Sequence, residues 1–434
     1  MHLKHIVPGY LLWLAVLHGT SLAQPVRTDP VVAKAVAIHK RALTIDTHVD
    51  IGGANYATPA LDPGAPRTNL KCDLTKMEKG GLKGVFLAVY VGQGPLDDTG
   101  YKRAYDQAMV KFEALQRLTK QMYPNRSAFA SSPAEVRRIA KTGKRVIMTG
   151  VENGYPIGTD LANLRKFYDL GARYVTITHS GNNQLADSSS SKEPLHNGLS
   201  ELGKKVIVEM NRLGVMIDVS HISEKSFWDI IAVTKAPIIA SHSGCRAITD
   251  SDRNLTDEQL KGLQKNGGVI QIVALSSYLK ADDPLRHEAL MKLRQELGFS
   301  ARGGQGTTGG RGRAEASSRT VDQEADFQKK IEQYRERIKE IDTKYPPATL
   351  KDFVDHIDHA VKIVGIEHVG IGTDFDGGGG INGFNDDTEA PNVTIELVRR
   401  GYTESQIRKI WGENLLHVWQ EVEKRRTNPL PTEP

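Results

Sequence analysis

This sequence predicts an α/β fold, a (β/α)₈ TIM-like barrel with an insertion between strands seven and eight. Three observations point there. Val- and Ile-rich runs of strand length recur eight times, continuously apolar as strands covered on both faces must be. Amphipathic helical patterns separate them, and such alternation implies a parallel sheet. Polar residues gather at the C-terminal ends of the runs, the ends that converge on the mouth of a barrel. A doubly wound open sheet is the alternative, but no G-x-G-x-x-G follows the first strand.

The chain begins with a basic stretch, "MHLKH", an apolar core, "YLLWLAVL" (10–17), and the small-x-small triplet "SLA" (21–23). This reads as a signal peptide over 1–23, cleaved near Ala23. The apolar core is far shorter than the roughly 20 residues a membrane span needs, and no Cys follows it to carry a lipid. The mature chain, 24–434, is expected outside the cytoplasm and most simply in the periplasm.

The strands are read, in order, as "TIDTHVD" (44–50), "GVFLAVYV" (84–91), "RVIMTGVEN" (145–153), "YVTITH" (174–179), "VMIDVSH" (215–221), "PIIASHS" (237–243), "GVIQIVAL" (268–275) and "HVGIGTDFDG" (368–377). Helices are expected at 101–121, 132–142, 159–170, 197–213, 223–234 and 256–265. Ser132, Pro133 and Glu135 start the second of these as N-cap, first-position proline and first-turn acid. The rhythm breaks after strand seven. "SARGGQGTTGGRGRAEASSRT" (300–320) is a low-complexity tract that cannot bury a core, flanked by charged helices near 284–297 and 324–343. An insertion there rises from the catalytic face of a barrel. Closing helices are expected over 388–424, and a frayed tail after them.

Composition excludes little. The 434 residues are 39% hydrophobic and 25% charged with a formal net charge of +5, spread along the chain, which gives no support for nucleic-acid binding. The two cysteines, Cys72 and Cys245, form no C-x-x-C pair, and whether they bridge is left open.

Strand one ends with His48 and Asp50, strand three with Glu152, strand four with His179, strand five with His221, strand six with His242, and strand eight with Asp374 and Asp376. Imidazole and carboxylate without thiolate suit Zn²⁺ with open positions, and less specifically Mn²⁺ or Fe²⁺. Five protein ligands exceed what one catalytic zinc takes and fit two ions about 3.5–4 Å apart. The expected set is His48, Asp50 and Glu152 for one ion and Glu152, His221 and His242 for the other, with Glu152 bridging. His356 and His359, at helical spacing in "DHIDHA", are expected on a solvated helix face, and His368 lies at the wrong end of strand eight. After strand six, Arg246 and Arg253 both offer a bidentate clamp for a carboxylate, and the local pattern does not separate them.

In order, "DTHVD", "GVENG", "TITHSGNN", "DVSH", "ASHSG…DRN" and "GIGTDFDG" resemble the membrane (renal) dipeptidase family of the amidohydrolase superfamily, from about residue 40 to 420. The resemblance implies a zinc-dependent dipeptidase with two Zn²⁺ ions per chain bridged by Glu152 and holding a hydroxide between them. Its metal motifs fall on His48, Asp50, Glu152, His221 and His242. It further implies that His179 binds substrate and steadies the tetrahedral intermediate, that Arg253 binds the substrate carboxylate, and that Asp374 transfers the proton. Val49 replaces the family's more usual asparagine between the first two ligands. Small dipeptides are the expected partners, with D-residues tolerated at the second position; no nucleic acid and no stable membrane anchor are expected, and a homodimer is left open. The alternative is another amidohydrolase acting on a lactone, β-lactam or deaminase substrate. His-x-Asp on strand one, where many of those enzymes carry His-x-His, argues against it.

Overall fold

A computed structural model of the chain describes residues 29–66, 68–299 and 319–427. The expected signal peptide, 1–23, residues 300–318 of the low-complexity tract and the end of the tail lie outside them. The strands are β1 (Ile45–Asp50), β2 (Gly84–Tyr90), β3 (Ser127–Phe129), β4 (Arg145–Glu152), β5 (Ala172–Thr176), β6 (Met216–Asp218), β7 (Ile238–Ser243), β8 (Val269–Ile272) and β9 (Val369–Ile371). They pair in parallel in the order β1-β2-β4-β5-β6-β7-β8-β9, with β3 attached to β4 off this path. Closure comes just beyond β9, where Asp374 N–H donates to His48 O and Asp50 N–H to Phe375 O, both at 2.9 Å. This is the expected eight-stranded barrel, plus one edge strand too short to stand out as an apolar run.

Alternate strand residues face opposite ways, and the core divides accordingly. Val85, Leu87, Ile147 and Val175 pack outward beneath the helices. Phe86, Val146, Met148, Tyr174 and Met216 fill the barrel with Leu415, Leu416 and Trp419 of the helix Asn414–Lys424. Trp419 packs against Phe86 with ring centroids 5.6 Å apart. Large side chains therefore fill the bottom of the barrel, and polar groups collect at the strand C-termini.

The helix Pro133–Ala140 starts as expected, with Ser132 Oγ accepting from Glu135 N–H. The insertion folds into helices Pro284–Glu296 and Val321–Lys344, joined by Arg286–Asp342 at 3.0 Å. The second helix starts three residues ahead of the expected 324, because Thr320 and Gln323 form a capping box. Three of the expected strands end short of their site residues. β5, β6 and β9 stop before His179, His221 and Asp374, which sit on the loops just beyond. At β6 the cause is local: Asp218 Oδ1 accepts from Ser220 N–H at 3.0 Å, turning the chain. His221 and Asp374 then adopt left-handed backbone, φ +66° and +58°.

Another expectation fails. His356 is fully buried, accepting from Cys245 N–H through Nδ1 at 3.0 Å and donating to Leu279 O through Nε2 at 3.1 Å. Its helix lies in the outer ring, but this face packs on the loop after β7 rather than on water. His359, half-buried, pairs with Asp257 at 2.7 Å. Cys72 and Cys245 are both buried free thiols.

Candidate metal centre

On β1, Asp46, His48 and Asp50 share the inner face. Asp46 lies deepest. Its carboxylate accepts from His48 N–H at 3.1 Å, from Thr373 N–H at 2.9 Å and from the Thr373 hydroxyl, locking β1 to the segment just beyond β9. Burial lifts its pKa to about 6, partly offset by Thr373.

Glu152, at the end of β4 and 1% exposed, is the centre of the cluster. Its two oxygens serve different partners. Oε2 lies 3.4 Å from His48 Nε2; Oε1 lies 3.2 Å from His221 Nε2, 3.4 Å from His179 Nε2 and 3.7 Å from His242 Nε2. His221 and His242 bring their Nε2 atoms within 2.9 Å of each other. His48 and His242 stack at 3.8 Å between ring centroids. Asp50 Oδ2 is 4.0 Å from His48 Nε2.

All five expected ligands thus meet in one buried volume, and His179 and Asp374 join them. Three sets of donor atoms lie within 4.8 Å of one another: His48, Glu152 and His242; Glu152, His179 and His221; and His48, Asp50 and Asp374. These sets overlap more than the two expected, because His242 approaches both His48 and His221. The donors fit a metal. Among the described residues, His48 Nε2 and His221 Nδ1 have no hydrogen-bond partner, although both are buried.

The electrostatics agree. Burial pushes His221 and His242 well below the usual imidazole range, aided by Arg253 at the first and His48 at the second. Both are therefore neutral, the form that binds metal. Burial opposes charge on His48 as well, but Glu152, Asp50 and Asp374 outweigh it and raise its pKa to about 9. Glu152 is held well below the ordinary carboxylate range despite burial, by His48 and His179 first.

Sequence reasoning missed the residues that aim these ligands. Tyr174 Oη lies 2.9 Å from His48 Nδ1. Gly150 makes room for that ring, since a Cβ there would sit 2.2 Å from it. Ser241 Oγ lies 2.8 Å from His242 Nδ1 and donates to Asp218 Oδ2 at 2.6 Å. Asp218 also accepts from the Thr176 hydroxyl and from Ser241 N–H, the latter at 2.8 Å. Polar residues inside otherwise apolar strand runs were the available signal.

The flanking residues separate cleanly. Arg253, 5% exposed, donates to His242 O at 2.9 Å and to Ser243 Oγ at 3.1 Å, with its guanidinium 5.4 Å from the Tyr278 ring centroid. Arg246 instead holds Ser251 O and Asp252 O of its own loop, at 3.1 and 3.2 Å. Asp374 reaches the cluster, whereas Asp376 accepts from Lys71 N–H at 2.8 Å and Cys72 N–H at 3.1 Å and organises a loop. His179 is the most open of the four histidines at 13% side-chain exposure, and its Nδ1 lies 2.9 Å from Ser180 Oγ.

The family described as Membrane dipeptidase (Peptidase family M19) matches residues 32–431. Dipeptidase tcpJ of Claviceps purpurea (strain 20.1) is 30% identical over 356 residues, 81% of this chain and 69% of its own. Dipeptidase verJ of Clonostachys rogersoniana is 30% identical over 362 residues, 81% of this chain and 76% of its own. The crystal structure of the probable dipeptidase PvdM from Pseudomonas aeruginosa superposes with a TM-score of 0.75 and 34% identity, over 91% of this chain and 99% of that one.

Proposed function

From the premise that this chain belongs to the membrane dipeptidase family, we propose that it hydrolyses dipeptides with two zinc ions shared through Glu152, and with His179, Arg253 and Asp374 as its working side chains. Metal-dependent dipeptide hydrolysis is the activity of the family; the ion, its count and the residue roles are the proposal. One observation carries it: the carboxylate of Glu152 turns one oxygen to His48 and the other to His179, His221 and His242, at 3.2 to 3.7 Å. That division suits a bridging ligand.

His48, Asp50 and Glu152 would hold one ion, and Glu152, His221 and His242 the other. Bound there, zinc supplies a water of lowered pKa and a Lewis-acid pull on the scissile carbonyl. The chain does the rest. His179 Nε2, at the open side of the cluster, donates to the oxygen that gains charge as the carbonyl becomes tetrahedral. Asp374 takes the proton of the attacking water and returns it to the leaving amine. Arg253 binds the C-terminal carboxylate, which favours dipeptides over longer chains. Its buried Nε has no hydrogen-bond partner among the described residues, so donor capacity remains for a substrate. D-residues at the second position are part of this reading, as is export to the periplasm.

The test is a zinc-loaded preparation assayed on L,L- and L,D-dipeptides beside lactones, β-lactams and nucleobases, with metal content measured on the same sample. Turnover of dipeptides with about two zinc ions per chain is expected. Turnover of another class alone, with no dipeptide cleaved, sinks the proposal. Mass spectrometry of the mature N-terminus, expected at Gln24, tests export.

A further inference from the structure

We infer that the insertion after β8 is a specificity element: its helix Val321–Lys344 forms one wall of a pocket beside Asp50 that takes an apolar side chain of the substrate's N-terminal residue. The inference rests on the dipeptidase reading with Arg253 at the C-terminal carboxylate. A cavity of about 70 Å³ lies between this helix and the loop after β1; Leu61, Leu70, Phe327 and Ile331 give it apolar walls, and charged groups that include Asp50 and Arg335 complete its lining. That is well below the roughly 300–1,000 Å³ of a whole small-molecule site. It suits one side chain, with the rest of the substrate at the metal centre.

The wall is held in place. Asn55 Nδ2 donates to Arg319 O at 2.9 Å and Asn69 Nδ2 to Gln328 O at 3.3 Å, tying the insertion to the loop after β1. Arg319 lies over the Phe327 ring at 3.5 Å and pairs with Glu324 at 3.2 Å, which fixes the first turns of the helix. Direction follows from strand order. Arg253 follows β7, three strands round the barrel from β1. A dipeptide with its carboxylate at Arg253 runs across the centre and brings its amino-terminal residue to the Asp50 side.

The experiment compares kcat/KM for Leu-Gly, Gly-Gly and Gly-Leu in the zinc-loaded wild type, Phe327→Ala and Phe327→Leu. The Leu-Gly to Gly-Gly ratio should fall about tenfold in Phe327→Ala, the scale of one lost apolar contact, and recover largely in Phe327→Leu. A non-cleavable reduced-bond Leu-Gly analogue should slow hydrogen exchange in 321–344, and its Gly-Gly counterpart should do so less. An unmoved ratio together with unchanged exchange overturns the pocket while leaving the dipeptidase reading intact. A change confined to Gly-Leu overturns the assignment to the N-terminal residue. A wild type that cleaves no dipeptide removes both.

Discussion

Ser241 Oγ lies 2.8 Å from His242 Nδ1 and gives its own proton to Asp218 Oδ2. Because that proton is committed, Ser241 accepts from His242, which fixes the Nδ1–H tautomer and leaves the Nε2 lone pair facing Glu152. Orienting groups of this kind are worth about 10–100-fold in metal affinity. Ser241→Ala should lose zinc to a competing chelator at a correspondingly lower chelator concentration, and Ser241→Thr should restore retention. Equal retention in Ser241→Ala and wild type would leave Ser241 a packing residue.

Glu152→Gln should lose metal and activity together. The amide removes the negative charge shared among four imidazoles and replaces one acceptor oxygen with a donor. Asp374→Asn should behave differently, keeping its zinc while kcat drops about 10²–10⁴-fold, the usual worth of a general acid–base group. Metal analysis beside kinetics separates the two. Loss of zinc from Asp374→Asn would move that residue from proton transfer to metal binding.

Arg253→Ala tests a residue with two claims on it. Its Nη groups support the carbonyl of His242 and the hydroxyl of Ser243, so a purely positioning role would lower turnover of every substrate alike. A carboxylate clamp predicts a much larger drop in kcat/KM for free dipeptides than for their C-terminal amides. The loss should be on the order of 2–5 kcal/mol for a buried charge pair. Equal losses on both substrates remove Arg253 from substrate binding.

What the sequence made legible was periodic or chemical. Eight apolar runs and the polar residues closing six of them reveal a barrel and its mouth, because strand burial and ligand chemistry are written in residue type. Orientation is not. Asp374 and Asp376 sit two apart in one motif, yet one reaches the cluster and the other organises the loop at Lys71 and Cys72. Left-handed backbone at both aspartates breaks the strand geometry that would have placed them on one face. Arg246 and Arg253 were inseparable for the same reason, since loop conformation chose between them. His356 shows a further limit: a helix in the outer ring can still bury a histidine wherever a loop crosses it.

That histidine predicts one part of the pH dependence of stability. His356 Nδ1 already accepts from Cys245 N–H, so a second proton would set two donors against each other in a buried site. Burial, the largest cause, brings its pKa down to about 4. The unfolded chain takes up this proton near pH 6.5 and the native chain only near 4. The His356 contribution to stability is therefore complete above pH 6.5, declines as pH falls toward 4, and stops declining below it. The full loss is on the order of 3 kcal/mol. His356→Gln keeps an acceptor for Cys245 and a donor for Leu279 without titrating. Its melting temperature should lie near or below wild type at pH 7.5 and gain on it steadily down to pH 4. His39, also brought down to about 4 by burial, stays in both proteins and cancels from the comparison. Parallel melting curves across that range would show that His356 is protonated in the native state without penalty.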